Sequence, residues 1–340
     1  MRIDVFAILV VSCWLSGCCG PGETRRPSPD RPEAAGPGIG STFVDTIPGS
    51  GVSFEMAYMA GGTFLIGSPE TEAGRDPDEG PQRVVSIDPF WIGVREVTWD
   101  EFDVFRRREL DSDTTATSDS TFSADAVARP SPAYEDPSHG MGANGFPAVS
   151  MTQWAALNYA EWLSRKTGRF YRLPTEAEWE FACRAGSSTA FSFGDELDSL
   201  DMYAWYWDNS GEVFHQGGTR RPNDWGVFDM HGNVAEWTLD QYDPGLYASF
   251  ESDTTDSPWA RPTMLHPRTV RGGAYDDDPE ALRCAARLES SLNWKQRDPQ
   301  IPKSFWWNTD SPFVGFRLVS PAHPPSPDEI EEFWMLVFGE

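Results

Sequence analysis

The sequence predicts an α+β fold that forms one irregular domain with little regular secondary structure. Helix signals are few and well separated, strand-like runs are short, and the segments between them are long enough to need packing of their own. The chain also contains 15 Trp in 340 residues. Large aromatic rings can close gaps between irregular segments, so this composition indicates an aromatic-rich, loop-rich core.

Capping residues predict three helices. Each begins at a threonine, and two of these threonines are followed three residues later by a glutamate that completes a capping box. Glycines mark the ends of the second and third helices. The predicted helices begin at Thr98, with Phe102 and Phe105 on one face, at Thr152, ending at Gly168, and at Thr175, running to Ala185 before Gly186.

The globular domain is predicted to span 52–319. Short runs within it predict strands at 62–67, 83–87, 90–94 and 315–319. A stretch rich in Ser, Thr and Asp indicates a surface insertion loop at 109–143. The C-terminal tail, 320–340, contains an apolar cluster at its end, and docking of this cluster on its own domain is favoured over a partner site.

The first 17 residues are predicted to be a lipoprotein signal peptide. An apolar run at 5–11 is too short to span a bilayer, and Leu15-Ser16-Gly17-Cys18 is similar to the processing box of bacterial lipoproteins. Lipid would then attach to Cys18, and the Pro- and Gly-rich segment 18–51 would be a linker. An ordinary cleaved signal with an incidental cysteine is the alternative. The lipoprotein interpretation predicts an exported protein, anchored to a membrane on its periplasmic or cell-surface face.

The charge of the chain limits its partners. The formal net charge is −26 at pH 7, and such a surface repels the phosphates of nucleic acids. It also disfavours adhesion to anionic lipid by charge alone. Nucleic acid is therefore excluded as a partner, and membrane attachment would depend on the lipid anchor.

Several sequence blocks spread over 56–319 carry a resemblance to a known family. They include RLPTEAEWE at 172–180, which is the most specific, GVFDMHGNVAEW at 226–237, RGG at 271–273 and GFRL at 315–318. They stand in the order found in the formylglycine-generating enzyme, or sulfatase-modifying factor, family, and the chain resembles a bacterial branch of it without the catalytic cysteines. The resemblance implies a single irregular α+β domain related to C-type lectin folds. It also implies an oxidase in which two cysteines hold copper and convert a substrate cysteine to formylglycine.

The stretch that matches the copper site lacks the thiol pair. It is shorter than in the family's oxidases, and Asp276, Asp277 and Asp278 stand where the thiols would begin, while Cys284 matches a structural cysteine. Cu(I) prefers soft thiolates and carboxylates are hard ligands, so copper is not expected. The aspartates could line a pocket for a cationic ligand, hold a hard metal, or cap a turn before Pro279.

A calcium site is predicted in the block at 226–237. Family members bind Ca²⁺ at positions that match Asp229, Gly232, Val234 and Glu236, and carboxylate and carbonyl oxygens are the ligands Ca²⁺ prefers. A turn capped by the Asp and the Glu without metal is the alternative. The family's second calcium site is doubtful here, because Trp205 takes the place of its asparagine and an indole offers no oxygen.

Two further features of the chain stay open at the level of sequence. Cys183 and Cys284 could form a disulfide in an oxidising compartment, or remain two separately buried thiols. His231 is expected to be a packed or hydrogen-bonded residue rather than a catalyst.

Two classes of function are compatible with these features. The domain could be a calcium-stabilised module that binds a polypeptide or a small surface ligand without turnover. Alternatively, it could be an oxidoreductase or maturation enzyme of the formylglycine-generating or pyoverdine-maturation type that uses residues other than cysteine. If chemistry occurs, the candidate cleft is formed by Tyr275, Asp277, Arg283 and Arg287, with an arginine orienting a carboxylate.

Overall fold

Short strands and helices alternate along the chain. The computed structural model describes residues 37–112, 123–250 and 253–339, which belong to one compact unit that starts at Pro37. The strands are β1 (Thr42–Thr46), β2 (Ser53–Met59), β3 (Gly62–Ile66), β4 (Arg83–Ile87), β5 (Phe90–Gly93), β6 (Ala235–Gln241), β7 (Thr255–Asp256), β8 (Arg268–Arg271), β9 (Arg287–Glu289), β10 (Val314–Gly315) and β11 (Val319–Pro321). The helices are α1 (Trp99–Arg106), α2 (Gln153–Thr167), α3 (Glu176–Arg184), α4 (Leu200–Tyr203), α5 (Trp207–Ser210), α6 (Leu246–Ser249) and α7 (Pro327–Phe338).

Three small sheets carry the strands. The first, in the order β1-β2-β5-β11, is antiparallel throughout. The second, in the order β10-β6-β8-β9, joins a parallel β10–β6 pair to antiparallel neighbours. The third consists of β3, β4 and β7. Because β11 pairs with β5, segments from both ends of the domain are held together in the first sheet.

The three predicted helices are present and each begins at its predicted threonine. The hydroxyls of Thr98 and Thr175 accept hydrogen bonds from the backbone N–H groups of Glu101 and Glu178, whose carboxylates accept from the threonine N–H groups in return. Thr152 caps α2 in the same way through the N–H of Ala155. These contacts span three residues, which is why the sequence predicts them well.

Helix ends follow the glycines closely. α2 ends at Gly168 with φ of 74°, a left-handed conformation that favours glycine. α3 ends one residue earlier than predicted, because Ala185 adopts the left-handed conformation with φ of 47° and Gly186 follows it with φ of 88°.

An aromatic core surrounds α2. Phe102 and Phe105 share a buried face of α1, as predicted, and their rings lie 5.6 Å from Tyr159 and 5.5 Å from Trp162, respectively. A second cluster packs α3 against β2–β5 and includes Trp179. Large rings therefore fill the space between short elements, as the tryptophan content indicates.

The predicted strand at 315–319 is two strands. Gly315 pairs with Glu236 in the second sheet, whereas Val319 pairs with Ile92 in the first. Between them Arg317 turns inward to the carboxylate of Glu236. The chain crosses from one sheet to the other here, which its local sequence does not reveal.

The N-terminal boundary of the domain lies earlier than the predicted linker, 18–51, allows. Strand β1 falls within that segment and pairs with β2, Thr42 opposite Ala57. Phe43 packs its ring edge against Trp91 at 4.7 Å between centroids. The strand is short and its residues alternate between exposed and half-buried, so its pairing depends on β2.

The insertion loop and the tail are both packed onto the domain. Within 109–143, of which residues 113–122 lie outside the described part, Val127 is buried and the Arg129 guanidinium donates to two carbonyls of α1. The tail at 320–340 contains α7, whose Trp334 and Val337 are buried. Phe338 packs its ring against Trp154 of α2, which agrees with a tail docked on its own domain.

No helix among the described residues is both long and apolar enough to cross a bilayer. The predicted signal peptide, 1–17, and the predicted lipid attachment residue, Cys18, lie outside the described residues, so both stay predictions.

Candidate functional site

The block at 226–237 forms a sharp turn that leads into β6. Asp229, Gly232 and Asn233 have positive φ angles of 55°, 80° and 59°. A Cβ atom on Gly232 would lie 2.2 Å from the backbone oxygen of Trp205, so only glycine fits this close approach. The turn therefore packs directly on the segment that precedes α5.

Glu236 is fully engaged by neighbours in the core. Its carboxylate accepts two hydrogen bonds from the guanidinium of Arg317, both 2.6 Å long, and one of 2.8 Å from the indole N–H of Trp179. The Glu236 and Arg317 side chains are buried. A bidentate pair of this kind balances the charge of Glu236 inside the protein.

Asp229 and Glu96 form a buried acidic pair next to this ion pair. Asp229 Oδ2 accepts from the N–H of Gly218 at 2.6 Å, and Glu96 Oε1 accepts from the side-chain amide of Asn233 at 2.8 Å. The other carboxylate oxygen of each residue is buried with no partner outside the pair, and the two carboxyl groups hydrogen-bond to each other when they share a proton. Burial raises the pKa of Asp229 to about 6, and burial together with the charge of Asp229 raises the pKa of Glu96 well above its ordinary value.

This acidic pair has the chemistry of a hard-cation site. Unpartnered carboxylate oxygens in the protein interior are unfavourable unless they share a proton or meet a cation. Carboxylates beside a turn rich in backbone carbonyls match the oxygen ligands of Ca²⁺. Sequence reasoning missed Glu96, which follows β5 directly, because it lies 137 residues from its partner Asn233.

Tyr275 to Asp278 form a loop between β8 and a short 3₁₀ turn at Pro279–Leu282. Asp277 caps this loop through Oδ2, which accepts from the N–H of Ala274 at 2.9 Å. Burial, with the neighbouring charges of Asp276 and Asp278, raises the pKa of Asp277 to about 6. The turn-capping interpretation therefore holds for Asp277, whereas Asp276 and Asp278 are exposed.

The two arginines predicted for the candidate cleft, Arg283 and Arg287, form buried ion pairs with glutamates. Arg283 donates to both oxygens of Glu79 and to Glu72, and all three side chains are nearly inaccessible. Arg287 makes two hydrogen bonds to the carboxylate of Glu176. Neither guanidinium is available to orient a substrate carboxylate, so the predicted role of Arg283 and Arg287 in the cleft is wrong, whereas that of Tyr275 and Asp277 stays a prediction. Both arginines form ion pairs with residues that are distant in the sequence, and such pairs cannot be predicted from residue spacing.

An acidic cavity adjoins the aspartate loop. It has a volume of ≈ 440 Å³ and is bounded by the 3₁₀ turn after Asp278 and by the segments around residues 69–73 and 188–197. Glu72, Asp195 and Glu280 contribute carboxylates to its wall. The one cation on the wall, among the described residues, is Arg283, which is already neutralised by Glu72 and Glu79.

Cys183 and Cys284 form a disulfide with an S–S distance of 2.05 Å and a Cα–Cα distance of 5.7 Å. Both residues are fully buried. The sulfurs therefore lie side by side in the core rather than in an open groove. Thiolates that could grip copper are not presented by these two cysteines in this state.

His231 packs beside the disulfide. Its Nδ1 is 2.8 Å from the carbonyl oxygen of Leu282, and its Nε2 accepts from the N–H of Ser192 at 3.2 Å. Burial lowers the pKa of His231 to about 4. A neutral ring that donates through Nδ1 and accepts through Nε2 satisfies both contacts, so His231 is the hydrogen-bonded core residue that the sequence predicts.

Comparison with known proteins decides the family. The description "Sulfatase-modifying factor enzyme 1-like domain" matches residues 50–321. The chain belongs to this sulfatase-modifying factor family.

Relatives of this sulfatase-modifying factor domain carry different names. It is 30% identical over 237 residues to the serine/threonine-protein kinase pkn1 of Chlamydia pneumoniae, covering 68% of this chain and 35% of that protein. It is 29% identical over 255 residues to the formylglycine-generating enzyme of Thermomonospora curvata, and the match covers 65% of this chain and 82% of that enzyme. The solved structure of PvdO from Pseudomonas aeruginosa matches with a TM-score of 0.65 and 25% identity, and the match covers 84% of this chain and 100% of PvdO. The chain thus spans about a third of the kinase-named relative.

Trp205 occupies the place expected for an asparagine of the family's second calcium site. Its indole stacks on the imidazole of His215 with 3.6 Å between ring centroids, and the Cζ atom of Arg220 lies 3.5 Å from the centroid of the indole. Its N–H donates to the hydroxyl of Thr219. Aromatic and cationic stacking therefore hold Trp205 in place.

Proposed function

We propose that this protein is a sulfatase-modifying factor domain that binds a ligand without copper–thiol oxidase chemistry. The observation that carries the proposal is the loop at 275–278, where Asp277 caps a turn in the region that matches the family's thiol pair. The only cysteines among the described residues, Cys183 and Cys284, are joined in a buried disulfide. Soft-metal capture at this position therefore has no sulfur ligand.

The ligand we propose is an extended polypeptide that carries basic side chains. Asp276 and Asp278 are exposed in the loop that leads into the cavity wall at Pro279, and the wall itself adds the exposed Asp195 and Glu280. Trp207, 51% exposed, donates its backbone N–H to the carbonyl oxygen of Asp277. An exposed indole beside carboxylates suits the aliphatic stem and charged head of a lysine or an arginine.

Calcium is proposed as a structural cofactor of this domain. Asp229 and Glu96 would supply carboxylate oxygens, and Gly232 and Val234 would supply carbonyls from the same turn, whereas Glu236, predicted as a further ligand, is already paired with Arg317. The unpartnered oxygens of Asp229 and Glu96 support this set. A bound divalent cation would neutralise the buried pair and hold the turn in place.

Export and membrane attachment remain part of the proposal. The motif that ends at Cys18 supports a lipid anchor, and the Pro- and Gly-rich segment after it would hold the domain away from the membrane. The binding surface would then face the periplasm or the cell exterior.

A maturation enzyme that uses other residues is the second candidate. The similarity to PvdO, which extends over the whole of that chain, favours it over a kinase activity. Its active groups would be the titratable residues of the aspartate loop, in particular Asp277, whose pKa is raised to about 6.

Metal analysis and oxygen uptake test whether copper–thiol oxidase chemistry is absent. Purified protein is dialysed against Cu(I) and Ca²⁺, its metal content is measured, and oxygen uptake is followed with cysteine-containing peptides, with a formylglycine-generating enzyme as positive control. We expect calcium without copper and no oxygen uptake. Stoichiometric copper with turnover would overturn the proposal in favour of an oxidase.

Ligand class is tested by peptide binding. Extended lysine-rich and glutamate-rich peptides of equal length are titrated into the protein and into the double variant Asp276→Asn/Asp278→Asn. The matched control is Asp224→Asn/Asp253→Asn, which removes two exposed aspartates from other loops. Weaker lysine-peptide binding in the first variant alone supports the site, and equal binding by all three proteins contradicts it.

A further inference from the structure

A second cavity lies on the side of the domain formed by the C-terminal helix. It has a volume of ≈ 340 Å³ and is enclosed by the start of α2, the loop at 262–268, the turn that ends at Lys295, and the end of α7 from Leu336 to Gly339. None of the residues Tyr275 to Asp278 lines it. A cavity of this size can hold a small organic molecule.

The charge of this cavity is opposite to that of the protein. His266, Arg268 and Lys295 line it, and the described lining residues include neither Asp nor Glu. The whole chain contains 53 acidic and 27 basic residues. A cavity with three basic groups and no carboxylate therefore stands out from the rest of the surface.

Arg268 has no acidic partner among the described residues. Its Nε donates to the carbonyl oxygen of Leu265 at 3.3 Å, whereas Nη1 is buried without any hydrogen-bond partner. Other inward-facing arginines of the fold, such as Arg283 and Arg317, are each paired with a glutamate. A partly buried guanidinium without an anion is unfavourable, so Arg268 lacks the group that would satisfy it.

Lys295 is in a similar position. Its ammonium donates to the carbonyl oxygen of Ser304 at 2.7 Å and forms no ion pair among the described residues. Asp298, the acid that faces it, already accepts from the backbone N–H groups of Gln300 and Ser304. Burial lowers the pKa of Lys295 to about 8 and that of Arg268 to about 10.

His266 is the third basic group on the cavity wall. Its Nδ1 lies 2.8 Å from the hydroxyl of Ser290. Burial and the charges of Lys295 and Arg268 lower its pKa to about 4. The ring is therefore neutral at pH 7, and it leaves two cations as the charged groups of the cavity.

The rest of the wall is apolar and aromatic. Trp154 and Leu157 contribute from α2, Phe305 from the loop after Lys295, and Leu336 and Phe338 from α7. An apolar chamber whose wall includes two cations suits a molecule with an anionic head and an apolar body.

We propose that this cavity binds a small monocarboxylate with an apolar body, its carboxylate held by Arg268 and Lys295 and its body packed between α2 and α7. The planar guanidinium of Arg268 can meet both oxygens of a carboxylate, and the ammonium of Lys295 adds a point charge. The site goes beyond the proposed peptide surface, since it uses different residues and a ligand of opposite charge.

The test compares one ligand with its neutral and shortened forms. Octanoate, octanamide, butyrate and inorganic phosphate are titrated into the full chain by calorimetry, with the fluorescence of the tryptophans as a second readout. Octanoate is expected to bind about tenfold tighter than octanamide, because the neutral amide loses the charged contacts. It is also expected to bind more tightly than butyrate and phosphate, which lack the apolar body.

Variants locate the site. Arg268→Gln and Lys295→Gln should each weaken octanoate binding about tenfold while leaving octanamide unchanged. Arg261→Gln, an exposed arginine of the neighbouring loop, is the matched control and should bind octanoate like the original protein. Thermal melting verifies that each variant is folded.

Several results would overturn the proposal. Equal affinity for octanoate and octanamide would show that charge plays no role, and phosphate binding as tight as octanoate would show that the apolar wall plays none. Unchanged octanoate binding in Lys295→Gln would place any ligand elsewhere. The comparison of octanoate with octanamide on the unchanged chain decides the matter even if Arg268→Gln fails to fold.

Discussion

Replacing Asp229 by Asn should remove the response of the protein to calcium. Asp229 Oδ1 is buried without a hydrogen-bond partner, and its carboxyl group interacts with that of Glu96. Asparagine keeps the shape and can still accept from the N–H of Gly218, but it carries no charge. The substitution therefore tests the charge of the site while changing little else.

The size of the effect follows from mass action. A ligand that binds only the folded state at a hundred times its Kd stabilises it by about 2.7 kcal/mol. For a domain of this size each kcal/mol moves Tm by about 2 °C, so saturating calcium should raise Tm by about 5 °C. In Asp229→Asn we expect the shift to fall to about 1 °C or less.

Without calcium, the effect of Asp229→Asn on Tm should have the opposite sign. The unchanged protein then holds two interacting carboxyl groups in its interior, and the substitution removes one of the charges. The variant in chelator should be at least as stable as the unchanged protein in chelator, although it is less stable when calcium is present. A merely structural role of Asp229 would lower Tm under both conditions.

Differential scanning calorimetry in chelator and in calcium is the assay. Asp224→Asn, which removes an exposed aspartate, is the control and should behave like the unchanged protein. A full calcium shift in Asp229→Asn, or none in the unchanged protein, would refute the placement of the site.

Three further outcomes test the structure. Cys183→Ser/Cys284→Ser should lower the free energy of unfolding by about 3–5 kcal/mol, since the bond closes a loop with a sequence separation of 101; an unchanged denaturation midpoint with and without reductant would contradict the disulfide. Glu236→Gln should cost about 3–5 kcal/mol, because the buried guanidinium of Arg317 loses its partner, whereas Asp310→Asn at the exposed pair with Arg297 should shift the midpoint far less. Octanoate affinity should be constant from pH 6 to 7 and fall above pH 8, because the attraction of the Lys295 ammonium is present below its pKa of about 8 and is lost as the pH rises through it. In that range His266 stays neutral, Arg268 stays charged, and Asp298 faces Lys295 from outside the cavity; Lys295→Met should show a flat profile between pH 6 and 9, and a fall as steep as in the unchanged chain would assign the titration to another group.

The helices show what a local pattern can predict. Thr98, Thr152 and Thr175 each cap a helix because the partner N–H lies three residues ahead, and α2 ends at Gly168 because glycine readily takes positive φ. Strand β1 shows the limit. Its five residues form a strand only because β2 lies beside them. The local sequence therefore predicts a linker at this position.

The candidate site divides in the same way. Asp229 and Gly232 could be selected from one short block, because the turn that contains them is local. Glu96 could not, although its oxygen is unpartnered next to Asp229, since β5 and the turn meet only in the folded chain. The prediction for Arg283 and Arg287 is wrong for the same reason, because their glutamate partners are distant in the sequence.

Sequence alone determined the helix starts, the family and the absence of a thiol pair beside Tyr275, because each depends on residue identity over a few positions. The tertiary structure alone decided which charges are paired. Arg283 meets Glu79 across 204 residues, whereas Arg268 meets no acid among the described residues. Ion pairing depends on distance in space and on burial, and neither quantity can be read from separation along the chain.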